Sequence, residues 1–141
     1  MPMGIAYEST FEPSKDLLKI LEDGLERHNE SVVGKSTFVP VASFARDDSQ
    51  EIIGGLSGRL FWDWLCIEQL WVAEGERGKG IGKHLVLEAE RMALERGVRR
   101  SYLITMSFQA LDFYLDLGYS VYGELGDRPA GHTTYYLRKN L

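Results

Sequence analysis

The sequence predicts an α/β (α+β) domain in which a mixed sheet carries helices on both faces. Two observations point there. Several strand-like runs come first, and strand, helix, strand, helix, strand, strand then follow. The run Trp64 to Val72 is also apolar on both alternate rows, with Leu65, Ile67 and Trp71 on one and Cys66, Leu70 and Val72 on the other, which marks a central strand. At 141 residues, one domain spanning 1–141 is expected.

Each element has a local reason. Met3 to Ser9 reads as a first strand. Ser14 is placed to cap a helix in which Leu17, Leu18, Leu21 and Leu25 recur at helical spacing, fading near His28-Asn29. The polar run Ser31 to Ser36 reads as a loop. Thr37 to Arg46 and Ile52 to Phe61 form a hairpin around Asp47 to Gln50, and the central strand follows. A helix runs from about Gly82 to Arg96, with Leu85, Ala89, Met92 and Ala93 as its buried stripe and Gly97 at its C-terminal end. Ser101 to Met106 is a strand and Ala110 to Leu117 a short helix stopped by Gly118. Tyr119 to Leu125 and Thr133 to Leu137 are the last strands.

Composition excludes several classes. Hydrophobic residues make up 44% and charged residues 26%, which is a globular balance rather than a disordered one. The net charge of −5 argues against a nucleic-acid binder. One cysteine, Cys66, forbids an internal disulfide, and with three histidines it leaves no evident metal site. No apolar run is long enough to span a membrane and no secretory signal opens the chain, so a cytoplasmic protein is expected. Residues 1–76 sum to −8 and residues 77–141 to +3, so one molecule can offer a basic patch to an anion and an acidic patch to a cation.

The basic part contains the most informative segment, Arg77-Gly78-Lys79-Gly80-Ile81-Gly82, set between the central strand and the next helix. Glycines let the backbone approach a bulky anion, and exposed amides with a helix N-terminus form a phosphate cradle. Arg77, Lys79 and Lys83 put cations where a helix alone disfavours them, which an anion would reverse. The spacing is neither a Walker A loop nor a dinucleotide fingerprint.

The run Leu70 to Gly82 resembles the acyl-CoA signature of the GNAT superfamily of N-acetyltransferases, with Arg77, Gly80 and Gly82 filling its [Q/R]-x-x-G-x-[G/A] core. Ala110 to Tyr119, Ala-Leu-Asp-Phe-Tyr-Leu-Asp-Leu-Gly-Tyr, is similar to a second segment of that family, at a matching interval. The resemblance implies a mostly antiparallel sheet splayed between its two central strands. It implies acetyl-CoA as cosubstrate, held by the backbone of Leu70, Trp71 and Val72, by Arg77, Gly78, Lys79, Gly80, Ile81 and Gly82, by Lys83, and by Ser107 where the family often has asparagine. It implies Tyr114 as the acid that protonates the departing thiolate.

Glu68 is the acid within the central strand, readable as the general base or as a salt-bridged surface residue; Cys66 stands where some members place their base. Trp62, Trp64 and His132 are candidates for the acceptor side, with packing and a structural hydrogen bond as their plainer roles. The expected reaction is transfer of an acetyl group to a primary amine of a small molecule in a ternary complex. A non-catalytic acyl-CoA sensor and a peptide or protein N-acetyltransferase are the alternatives, and pairing of the last strands in a homodimer is left open.

Overall fold

The structure is a computed structural model that describes residues 4–141. By its internal contacts the chain forms two units, 1–36 and 37–141.

In the first unit, helix α1 spans Lys15–Val33. The Ser14 side chain accepts a hydrogen bond from the Leu17 amide at 3.1 Å, and Asp16 lies in the first turn. The helix outlasts its expected end at His28-Asn29. Ser31 is helical, its hydroxyl donating to the His28 carbonyl at 2.6 Å, and the helix stops only at Gly34, whose φ of 79° few other residues adopt. Of the strand expected over 3–9, Met3 lies outside the described residues and Ile5 to Ser9 are not a strand. Alternation there rests on two exposed side chains, Ile5 and Tyr7, too little apolar surface to specify a pairing.

The second unit contains β1 (Val39–Arg46), β2 (Ile52–Phe61), β3 (Trp64–Val72), α2 (Ile81–Glu95), β4 (Arg100–Met106), α3 (Leu111–Asp116), β5 (Ser120–Gly126) and β6 (Thr133–Asn140). The six strands form one mixed sheet in the order β1-β2-β3-β4-β6-β5. Asp47 closes the first hairpin by accepting from the Ser49 and Glu51 amides, and Trp62 and Asp63, both at positive φ, turn the second. β3 and β4 run parallel and pair only from Leu65–Ser101 to Ile67–Leu103, after which the strands part.

Leu56, Leu65, Leu85, Val86, Leu103 and Leu137 are fully buried between the sheet and α2. Ala89 and Ala93 let that helix approach closely. Its stripe differs from expectation in three positions: Met92 is half-buried, while Val86 and Glu90 are buried. Glu90 tolerates burial because Lys139 and Tyr119 satisfy its carboxylate, at 2.9 Å each. On β3, Leu65 and Ile67 are buried, but Glu68, Gln69 and Trp71 are exposed. The β2–β3 register shifts between Ser57 and Gly58, a bulge that breaks the alternation of rows.

Among the described residues, no helix is long and apolar enough to cross a membrane, and no group of three or more His, Cys, Asp or Glu is placed to hold a metal ion.

Candidate active site

Where β3 and β4 part, the sheet opens into a cleft of about 930 Å³. Residues 67–72 form one wall, Ile104 and Thr105 the other, and the loop after β3 together with α3 closes the ends. Beyond Ile67, β3 has no strand partner on its β4 side, so its backbone groups there, the Val72 carbonyl held by Arg77 excepted, are available to a ligand that pairs like an added strand.

The loop is built by three glycines with two jobs. Gly78 and Gly80 have φ of 79° and 82°, the left-handed region a β-branched side chain would strain. Gly82 answers to packing: a Cβ there would stand 3.3 Å from the Phe113 ring, so glycine lets α3 approach α2. Gly80 caps α2 without a side-chain hydrogen bond, and the first turn contains no acid. The leading amides of α2 therefore keep their donors for an anion, with Lys83 beside them at the cleft.

Tyr114 projects from α3, 6% exposed, its ring edge-on to Phe113 at 5.0 Å and to Tyr119 at 5.9 Å. Burial alone pushes its hydroxyl up to about 12, so it stays protonated at neutral pH, and the residue lines the cleft. Glu68 also lines the cleft, its carboxylate 4.0 Å from the Arg59 guanidinium and 43% exposed.

The cleft thus gathers Glu68, Leu70, Trp71, Val72, Arg77, Gly78, Gly80, Ile81, Gly82, Lys83 and Tyr114. Arg77 reaches it while its Nε donates to the Val72 carbonyl at 3.1 Å, tying the loop to the end of β3. The other expected residues lie outside the lining. Lys79 pairs with Glu76 at 2.7 Å. Ser107 Oγ accepts from the Thr133 amide at 3.0 Å and stands 3.4 Å from His132 Nδ1. His132 is edge-on to Phe108, which does line the cleft. Trp62 sits in the β2–β3 turn, and Trp64 packs edge-on against Tyr102.

Sequence reasoning missed Thr105 and Gln109. The Gln109 side-chain oxygen accepts from the Met106 amide at 2.9 Å and sets the turn that leads into α3. The available signal was polar: Ser101 and Thr105 share the buried row of an otherwise apolar strand. It also missed Arg59, a cation inside an apolar strand whose guanidinium lies 4.0 Å from the acid of β3.

Comparison with known proteins agrees with this geometry. The model of the Acetyltransferase (GNAT) family matches residues 6–119. A blasticidin-S acetyltransferase of Streptomyces morookaense is 40% identical over 71% of this chain and 74% of its own length. The crystal structure of an acetyltransferase from Bacillus cereus superposes with a TM-score of 0.89 at 30% identity, covering 95% of this chain and 98% of that one. A Bacillus anthracis protein described as a streptothricin acetyltransferase, solved with acetyl coenzyme A, shares the fold at a TM-score of 0.66 and 22% identity, over 73% and 63% of the two chains.

Proposed function

Because the chain belongs to the acetyltransferase (GNAT) family, its chemistry is acetyl transfer, and we propose that it moves the acetyl group of acetyl-CoA to a primary amine of a small molecule by direct attack in a ternary complex. The observation that carries this is that the cleft opening between β3 and β4 is lined by both the glycine loop and Tyr114. Acetyl-CoA supplies an activated thioester. The chain's own groups supply the rest.

The β3 backbone from Leu70 to Val72 pairs with the pantetheine arm, and the amides from Gly78 to Gly82 with Lys83 receive the pyrophosphate. Glu68, directly or through water, takes the proton that the acceptor ammonium must lose before its nitrogen forms the new C–N bond. Tyr114 gives its proton to the sulfur as the C–S bond breaks. A small-molecule acceptor is supported by the relative named for blasticidin-S, which belongs in the first amine panel.

A thermal-shift titration with acetyl-CoA, beside dephospho-CoA and ATP, tests the cofactor. At about 100 times its dissociation constant a specific ligand adds roughly 2.7 kcal/mol, a rise of several degrees. A saturable rise that is much smaller with ATP, followed by amine-dependent release of free thiol, is the expected result. No rise at millimolar acetyl-CoA with folded protein overturns the proposal.

A further inference from the structure

We infer that Arg59 and Glu68 form a two-charge acceptor subsite beside the cleft, and that the amine accepted there also carries an anionic group a few bonds from its nitrogen. The inference rests on the acetyltransferase reading and names the substrate class within it.

The strand register assembles the site. Arg59 stands opposite Cys66 across β2–β3, and Cys66 stands opposite Tyr102 across β3–β4. Directly opposed residues share a face, so the three form one transverse row. The row lies one rung before the last paired rung, Ile67–Leu103, where the cleft begins. Tyr102 and Arg59 flank Cys66 on this row, one from each neighbouring strand.

Glu68 is brought to the row by the bulge. Ser57 pairs with Gln69 and Gly58 with Ile67, so Glu68 has no opposite residue. The bulge requires a glycine: a Cβ on Gly58 would lie 2.3 Å from the Cys66 carbonyl oxygen. Bulges next to active sites re-aim a side chain, and here the re-aimed side chain is the acid lining the cleft.

Stability does not account for the pair. Arg59 and Glu68 are 38% and 43% exposed and meet at 4.0 Å, the edge of contact, and exposed pairs contribute about 0–1 kcal/mol. A guanidinium has five donors, and at 4.0 Å the Glu68 carboxylate is too far to take one as a hydrogen bond. A ligand with both charges uses what remains. Its ammonium lies at Glu68, on the cleft side, where the nitrogen can reach a thioester. Its carboxylate or phosphate lies at Arg59, which can bind it through two parallel hydrogen bonds.

The test compares matched acceptors that differ only in the anion. Glycine, β-alanine, 4-aminobutyrate and phenylalanine are set against their carboxamides, with acetyl-CoA and thiol release as the readout. In the wild type the acids are expected to exceed the amides in kcat/KM by about tenfold or more, mainly through KM, as suits charge-assisted hydrogen bonds. In Arg59→Gln the ratio falls to about twofold or less, and Arg59→Lys, which keeps the charge but not the fork, lies between. Amides equal to acids in the wild type, a preference that survives Arg59→Gln, or no turnover of any acid overturns the inference. An amine without an anion that still turns over leaves the acetyltransferase reading standing. Loss of thiol release with every amine, together with no acetyl-CoA thermal shift, removes that reading itself.

Discussion

The two ends of the β3–β4 pair use the same strands for opposite purposes. At the closed end, Leu65 pairs with Ser101, and polar groups behind the sheet are saturated: Ser101 and Tyr119 hydroxyls lie 2.8 Å apart, Tyr119 donates to Glu90 at 2.9 Å, and Lys139 reaches both Glu90 oxygens. Burial and the Glu90 carboxylate hold the Tyr119 hydroxyl far above its ordinary range. At the open end the ladder stops, two loop glycines take left-handed φ, and the buried Tyr114 hydroxyl is shifted by burial alone. Unpaired backbone is costly unless water or a ligand satisfies it. The site is an interrupted sheet, with a satisfied polar network at its closed end. The two tyrosines meet edge-on at 5.9 Å, so the ends also touch.

Substitution at each end sharpens that contrast. The largest effect is expected for Tyr114→Phe, which keeps the packing and removes the donor. Turnover should fall by about 10²–10⁴-fold while the acetyl-CoA dissociation constant stays nearly constant. The comparison of single-turnover rates and thermal-shift affinities checks this, and unchanged turnover removes Tyr114 from the acid role. The same variant carries a pH prediction. A tyrosine whose folded pKa is raised to about 12 binds a proton that the unfolded chain releases near 10, so its share of stability is complete below pH 10 and is lost between 10 and 12. Tyr114→Phe should therefore lose less stability than the wild type across that interval in alkaline melts.

At the closed end, Glu90→Ala strips Lys139 and Tyr119 of their acceptor in one step. Removing one partner of a buried pair costs about 3–5 kcal/mol, or about 10 °C or more in Tm for a chain of this size. Urea melts measure it. A loss under about 1 kcal/mol would mean that apolar packing alone, chiefly Leu65, Leu103 and Leu137, closes this end.

The difference between the ends also explains what was legible in the sequence. Local signals sufficed for β2 and β3, whose bounds match the reading, and for the glycine loop, where chain order and turn chemistry specify the geometry. Tyr114 emerged through a motif. What stayed hidden depends on contacts across the fold. The Glu90 network joins residues 49 positions apart, the bulge depends on a glycine meeting a neighbouring carbonyl, and the Arg59 row needs a register. The strand expected at 3–9 and the early end of α1 failed for the converse reason, since short alternation does not specify a strand and a polar run does not end a helix.

Lys79 gives the smallest effect and the finest test of the open end. Its sequence position, between Gly78 and Gly80, suggests a phosphate contact, yet its ammonium lies 2.7 Å from Glu76 and it is not among the cleft-lining residues. Glu76 and Lys83 do line the cleft, so the loop lysine and the lysine in the first turn of α2 have different surroundings. Lys79→Ala should change stability by less than about 1 kcal/mol, as for other exposed pairs, and weaken acetyl-CoA by less than about threefold. Lys83→Ala removes a cation beside the first amides of α2 and should weaken acetyl-CoA by about fivefold or more, less so as salt rises. If the two variants bind alike, the loop holds its anion through charge summed over the segment. If they separate as expected, it holds the anion through the geometry that the glycines and the α2 N-terminus create, and Lys79 serves to neutralise the acid at its edge.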